Sequence, residues 1–363
     1  MNRFINPDRE QPSDVPAIKT VRAVFQSRIA CIGLLVGVAL FAAIIAWQGI
    51  SDIAQALGRA GWGIIAIALL HLPPLWADAI GWRSLFPRGH RLPRRTMLRA
   101  RWIGESINDL LPVLQMGGNV VKAWFLVDRG IQIGQAGASV IVDITLVVMT
   151  QILFTLLGII LVAPTLESRG SLLIVFTGTV IMAVLLGGFY EAQRRGFIGA
   201  VMQISRRILG GSEWFSLSNG ATMIDAEVMR LYGKRRALAT SGFWHIISWF
   251  LGVAEVWLAL HLLGHPVDLG TALLFESLGQ AIRTGAFAVP GALGIQEGGY
   301  VLVGGILGIE PSISLALSLS RRVRELLLGL PGLVFWQAST IRLGLLKGPN
   351  DPTVPPSKAR GMV

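Results

Sequence analysis

The stretch PGALGIQEGGY, Pro290 to Tyr300, stands between the apolar runs AFAV and VLVGGILG. A proline after an apolar helix stops or bends it, and glycines let the chain reverse. In hydrocarbon, an opened backbone leaves N–H and C=O groups unpaired, at a cost of several kcal/mol each. Such a break survives only inside protein or beside a watery cavity. In a chain built for lipid, this stretch predicts a polar cavity.

The composition is that of such a chain. Its 363 residues are 53% hydrophobic and only 15% charged, with a mean hydropathy of +0.61. Several runs approach the length of a membrane span, so the expected fold is an all-α, polytopic integral membrane helical bundle. The net charge of +11 does not point to nucleic acid. The basic residues cluster between apolar runs, where they orient helices and meet anionic lipid heads. Cys31 is the single cysteine, so no disulfide forms within one chain. The polar start, 1–28, holds Asp8, Glu10 and Asp14 and is long for a signal peptide, so the first apolar run reads as a retained anchor.

Spans are expected at about Ile29–Gln48, Trp62–Leu85, Ile133–Val162, Ser171–Tyr190 and Ser241–Leu263. A last apolar region, Ile313–Ile341, is interrupted by RRVRE, and Pro73-Pro74 should kink the second span. The segment PRGHRLPRRTMLRAR, 87–101, carries many arginines and no acid, and reads as a cytoplasmic loop. The basic stretch 191–240 reads the same way, and its piece FIGAVMQISRRILGG is either a surface-lying helix or a solvated linker. The tail, 342–363, reads as disordered and cytoplasmic. This leaves a membrane domain at 29–341, with both termini in the cytoplasm. Trp47, Trp62, Trp82, Trp102 and Trp244 flank the expected spans as interface anchors.

The break at Pro290 has an earlier counterpart. In 102–127 an apolar stretch leads to Pro112, then Gly117-Gly118, then Lys122; in 270–309 the order is Pro290, Gly291, Gly294 and Glu297. Each copy holds a Glu-Ser pair, Glu105-Ser106 and Glu276-Ser277. By the basic-loop topology, one hairpin starts and ends inside and the other outside. Opposed, re-entrant broken hairpins are the expected sign of an inverted-repeat transporter with its site near the midplane. Ordinary full-length helices packed through glycine are the alternative. In the first reading Gln296 and Glu297 face the cavity.

Ionisable residues inside apolar runs fall at helical spacing. Ser139, Asp143 and Thr150 share one face; Ser241, His245, Ser248, Gly252 and Glu255 form a stripe; Glu276, Gln280 and Arg283 form another. Arg283 with the Arg321, Arg322, Arg324 and Glu325 cluster could hold an anionic headgroup, and Glu255, Glu276 and Glu297 could pair the arginines when empty, or bind an amine or a proton. For each residue alone, snorkelling or a structural ion pair is the competing reading. The histidines give no metal site, and there is no phosphate-loop, G-x-S-x-G or zincin motif. No cofactor is expected.

Three stretches carry a resemblance: ESINDLLPVLQMGGNVVKAWFL, VPGALGIQEGGYVLVGGILGI and ALSLSRRVRELLLGLPGLVFWQ. Together they resemble the membrane domain of lysylphosphatidylglycerol synthases, the flippase-like domain. WHIISWFLGVAEVWLALHLLGHPV and RRVRELLLGLPGL are similar to its hopanoid-biosynthesis-associated branch. The resemblance implies a helical bundle with re-entrant segments that moves lipid between leaflets. The positions it carries over are Glu105, Asn108, Pro112, Gly117, Gly118, Asp143, Glu255, Glu276, Arg283, Pro290, Gly294, Glu297, Arg321, Arg324 and Glu325. The soluble aminoacyl-transferase domain of those synthases has no counterpart here, so the expectation is a non-enzymatic translocase for hopanoid or related polar lipids. A membrane-embedded lipid transferase and a scaffold for hopanoid enzymes are the alternatives. Membrane lipids are the expected partners.

Overall fold

The computed structural model describes residues 58, 60–87, 89, 91–111, 117–162, isolated positions between 173 and 191, 214–286 and 289–346. The expected first span, the expected surface helix at 197–211, Pro112 and residues 347–363 of the tail lie outside the described residues.

All regular structure among the described residues is helical: α1 (Gly63–Leu70), α2 (Leu72–Ser84), α3 (Arg94–Leu110), α4 (Gly117–Val127), α5 (Ile133–Val162), α6 (Trp214–Tyr232), α7 (Arg235–Leu262), α8 (Leu269–Gly285), α9 (Ile295–Ile306) and α10 (Pro311–Leu346), with a 3-10 turn at Pro290–Ala292. Three stretches within them are long and apolar enough to cross a membrane: Gly63–Ser84, Ile133–Gly158 and Arg235–Leu262. Their outward faces are apolar, with Leu69, Leu153, Phe243 and Phe250 exposed. The molecule is a polytopic helical membrane bundle.

Several boundaries differ from the sequence reading, each for a physical reason. The second span breaks at His71, just before the prolines, which occupy the first turn of α2. There the backbone N–H groups have no intrahelical acceptor, so proline removes nothing. The arginine-rich segment is a loop only to Pro93; α3 starts at Arg94 and carries Arg101 into the bundle. The basic stretch 191–240 is helical in α6 and in the first turn of α7. RRVRE does not interrupt the last helix, because Arg321, Arg324 and Glu325 are buried and paired inside the protein. Trp82 is no interface anchor: it is fully buried, and its indole N–H donates to Ser139 Oγ at 3.2 Å.

Both breaks form helical hairpins. In the first, Lys122 packs on Gly104, and Asn108 Oδ1 accepts from the Gly118 N–H at 2.8 Å. Advancing along α3 therefore means retreating along α4, so the pair is antiparallel. A Cβ on Gly118 would collide with the Gly104 carbonyl oxygen, so glycine is what permits this approach. In the second hairpin Gly279 meets Tyr300, Ile282 meets Gly299, and Arg283 reaches Gln296. The turn between α8 and α9 uses positive φ at Gly291 (61°) and Gly294 (75°). α9 then starts with the Gly294 N–H donating to Glu297 Oε2 at 2.6 Å. The turn of the second hairpin packs against the end of the first: Arg283 Nη2 donates to Asp109 Oδ1 at 2.6 Å.

Two apolar cores form. One joins α1, α7, α8, α9 and the start of α10 through Ile67, Val256, Phe275, Tyr300 and Leu317. The other joins α2, α3, α4, α6 and the start of α5 through Trp82, Ile103, Phe125, Val142 and Val228. Along α1 and α2 the chain passes from the first core at Ile67 to the second at Trp82, with His71 and Asp78 between. Along α5 it passes from Val142 to Phe154, with Asp143, Thr150 and Gln151 between. The charges occupy the layer where the cores part.

Candidate functional site

A cavity of about 290 Å³ lies in that layer. Seven helical elements bring side chains to it. The α1–α2 joint and α2 supply His71 and Asp78, and α3 supplies Arg101, Glu105, Asn108 and Asp109. Asn119 and Lys122 come from α4, and Asp143 from α5. Ser248 and Glu255 come from α7, Glu276, Gln280 and Arg283 from α8, and Arg324 from α10. His71 and Asp78, Asp143, and Ser248 each stand near the middle of their apolar spans. The polar layer is thus at mid-depth in the helices that are long enough to cross.

Three charge clusters make up the wall. In the first, Asp143 Oδ2 accepts from Arg101 at 2.8 Å and from Lys122 at 3.1 Å. Arg101 also donates to Asp78 at 2.9 Å. His245 Nδ1 lies 2.7 Å from Asp78, and its Nε2 lies 3.2 Å from Asp143 Oδ1, off the hydrogen-bond line. Lys122 sits 4.8 Å over the Trp82 ring, which adds a cation–π contact to its ion pair.

In the second, Glu255 is paired with Arg324, lies 3.7 Å from Arg321 Nε, and lies 2.9 Å from His71 Nδ1. Arg321 is paired with Glu276, which also accepts from Gln280 at 2.9 Å. Glu105 lies 2.7 Å from His71 Nε2.

In the third, Arg283 links Asp109, Glu325 (2.5 Å) and Gln296 (3.2 Å). Arg322 links Glu297 (2.9 Å), Glu325 (2.9 Å) and the Gly291 carbonyl (2.7 Å). Pairing is what makes these charges tolerable at depth: removing one partner of a buried pair costs about 3–5 kcal/mol.

This layered arrangement, with a broken hairpin on each side of a charged cavity, lies within the part of the chain that matches the lysylphosphatidylglycerol synthase TM region, residues 34–332. The chain belongs to that family. No curated protein and no solved structure matches it. Family and apolar helices together place this lysylphosphatidylglycerol synthase TM region in a membrane and tie it to membrane lipid.

Of the residues singled out from sequence, Glu105, Asn108, Lys122, Asp143, Glu255, Glu276, Gln280, Arg283 and Arg324 line the cavity of this family member. His245, Gln296, Glu297, Arg321 and Glu325 stand one layer behind, bonded to lining residues or to the hairpin turn. Gln296 and Glu297 therefore do not face the cavity as the sequence reading had them. Gln296 accepts from Arg283 and donates to Ser318, and Glu297 holds the α9 N-terminus and Arg322. Gly117 and Gly118 begin α4, and Pro290, Gly291 and Gly294 form the second turn.

The arginines expected to hold an anion are paired with carboxylates, as the sequence reading had them when empty. Arg283, Arg321, Arg322 and Arg324 each already bind a carboxylate. A headgroup must exchange partners with these pairs to bind.

His71, Asp78, Arg101, Asp109 and Asn119 are cavity residues that the sequence reading did not select. A helical stripe would have found most of them. Arg101, Glu105 and Asn108 recur at intervals of four and three, and His71, Pro74 and Asp78 at three and four.

Proposed function

We propose that this chain is a lipid translocase of the bacterial inner membrane, passing the polar headgroup of a lipid through the charged cavity while the acyl tails stay in the bilayer. The observation that carries the reading is a charged cavity of about 290 Å³ at mid-span, set between two broken hairpins whose ends meet at Arg283 and Asp109. At about 30 Å³ per water, the space corresponds to about ten waters. That suits a headgroup and is too small for acyl chains, which have the exposed apolar helix faces to lie against. The hairpins act as opposed re-entrant gates, and the headgroup enters by taking over one carboxylate or guanidinium from an existing pair. Arg283, shared among Asp109, Glu325 and Gln296, is the first to exchange. In this reading the helix ends at the basic segments 87–95 and 234–236 are cytoplasmic by the positive-inside rule, and both termini share that side. Similarity to the hopanoid-associated branch makes hopanoids or related polar lipids the first substrates to try.

Purified protein in liposomes should speed leaflet exchange of a labelled polar lipid. Arg283→Ala should abolish this, while Arg129→Ala, outside the cavity, should retain it. Exchange no faster than in empty liposomes across hopanoid, zwitterionic and anionic lipids would rule the reading out.

A further inference from the structure

His71 stands at the joint of α1 and α2, and its ring meets three other helices. Nε2 lies 2.7 Å from Glu105 Oε1 of α3. Nδ1 lies 2.9 Å from Glu255 Oε2 of α7 and 3.0 Å from Arg324 Nη1 of α10. A neutral imidazole carries one N–H, and the imidazolium carries two. Nε2 faces an acceptor and keeps its proton in either state. Nδ1 faces an acceptor and a donor at nearly the same distance. With a proton it donates to Glu255; without one, its lone pair accepts from Arg324. Neither state leaves a buried nitrogen without a partner, and neither requires the ring to turn.

The charges around the ring point the same way. Glu105, Glu255 and Glu276 face two guanidiniums, Arg321 and Arg324. Arg101 also acts on Glu105, and Asp109 and Glu325 stand at the same face, with Arg324 4.0 Å from Glu325; a protonated His71 adds a cation directly between Glu105 and Glu255. Asp143 of α5 does not serve this ring, since Arg101 and Lys122 occupy it. Loss of the proton removes the cation between these two carboxylates, a change favoured when another cation arrives or the helices move. The ring also has access to the cavity, since His71 and both partners of Nδ1, Glu255 and Arg324, line it.

We propose that His71 is a proton-binding site of this cavity, exchanging H⁺ at Nδ1 with Glu255 and Arg324 as alternate partners, and that the proton is the ion coupled to lipid movement. The site itself stands on geometry alone; the coupling rests on the translocase reading above. The proton passes between cavity water and Nδ1, and no other bond changes. Its place at the break between α1 and α2 puts the charge change where the span is already jointed.

The test is a ¹⁵N-histidine titration of the full chain in nanodiscs, followed at both ring nitrogens. One imidazole, absent in His71→Gln, should change protonation at Nδ1 while Nε2 stays protonated. Glu105→Gln should move that imidazole's Nε2 resonance, assigning it even if His71→Gln does not fold. Glu255→Gln should weaken its proton binding about tenfold or more, since a charged acceptor is lost. A His71 Nδ1 that keeps one protonation state from about pH 5 to about pH 10 would overturn the site. In liposomes, a pH gradient should bias lipid exchange, with a sign that follows the gradient, and His71→Gln should lose that response. Lipid exchange indifferent to the gradient would overturn the coupling and leave the translocase reading standing. Absence of any lipid exchange would sink the translocase reading and the coupling with it, while the titration still decides the proton site.

Discussion

Arg283 of the second hairpin and Asp109 of the first, 174 residues apart in sequence, meet at 2.6 Å. This pair fastens the two broken hairpins to each other beside the cavity. Arg283→Ala should destabilise the protein by about 3 kcal/mol, because it takes away the ion-pair partner of buried Asp109, and Asp109→Ala should cost less, because Arg283 keeps Glu325. The double variant should cost less than the sum, with a coupling of about 1–3 kcal/mol in a double-mutant cycle. Denaturant unfolding in detergent measures it, and strict additivity would deny the contact.

The closeness of α3 and α4 depends on Gly118, whose Cβ would strike the Gly104 carbonyl. Gly118→Ala should cost about 1–3 kcal/mol through forced separation of the helices. Gly305, inside α9, has open space around its would-be Cβ. Gly305→Ala should therefore raise stability by about 0.5–1 kcal/mol. The opposite signs make the pair a test of packing rather than of glycine chemistry.

Glu297 does two jobs at the second turn, accepting from the Gly294 N–H and from Arg322. Glu297→Gln keeps an acceptor for the N–H but removes one of the two carboxylates of Arg322, Glu325 remaining, with an expected loss of about 1.5–3 kcal/mol. Glu297→Ala should lose about 1 kcal/mol more, the value of the cap. Equal melting temperatures for the two variants would show that the cap contributes nothing.

Asp268 caps α8 at the surface, accepting from the Thr271 hydroxyl at 2.7 Å and its N–H at 3.0 Å. Those donors hold the carboxyl below the usual carboxylate range. Its contribution is therefore present above that range and lost as pH falls through it. Asp268→Ala should cost about 1 kcal/mol at neutral pH, and the gap between wild type and variant in thermal melts should close under acid conditions.

The bundle, three of its apolar spans and the antiparallel helix pairs at the two proline–glycine stretches were legible in the sequence, because proline and glycine punctuate long apolar runs there. The stripe from Ser241 to Glu255 was legible too, since helical spacing alone puts those residues on one face, and that face is buried. Arg101 was not. It sits among arginines that obey a topology rule, and that rule hides the one that turns inward to Asp78 and Asp143. His71 was passed over because a histidine without a second ligand at helical spacing carries no pattern of its own. Its partners Glu105, Glu255 and Arg324 come from distant parts of the chain. That the arginines of RRVRE would pair with glutamates was legible, but not which takes which, because Arg321–Glu276, Arg322–Glu297 and Arg324–Glu255 are set by three-dimensional register.

The charged layer between the two apolar cores also constrains how the sequence can drift. A single uncompensated change there costs about 3–5 kcal/mol, a large part of the 5–15 kcal/mol that typically holds a domain together. Substitutions at Arg101, Asp143, Arg283 or Asp109 are thus expected to arise in matched couples, while the oily exterior wanders freely among leucine, valine and phenylalanine. Relatives should show these distant positions changing in step.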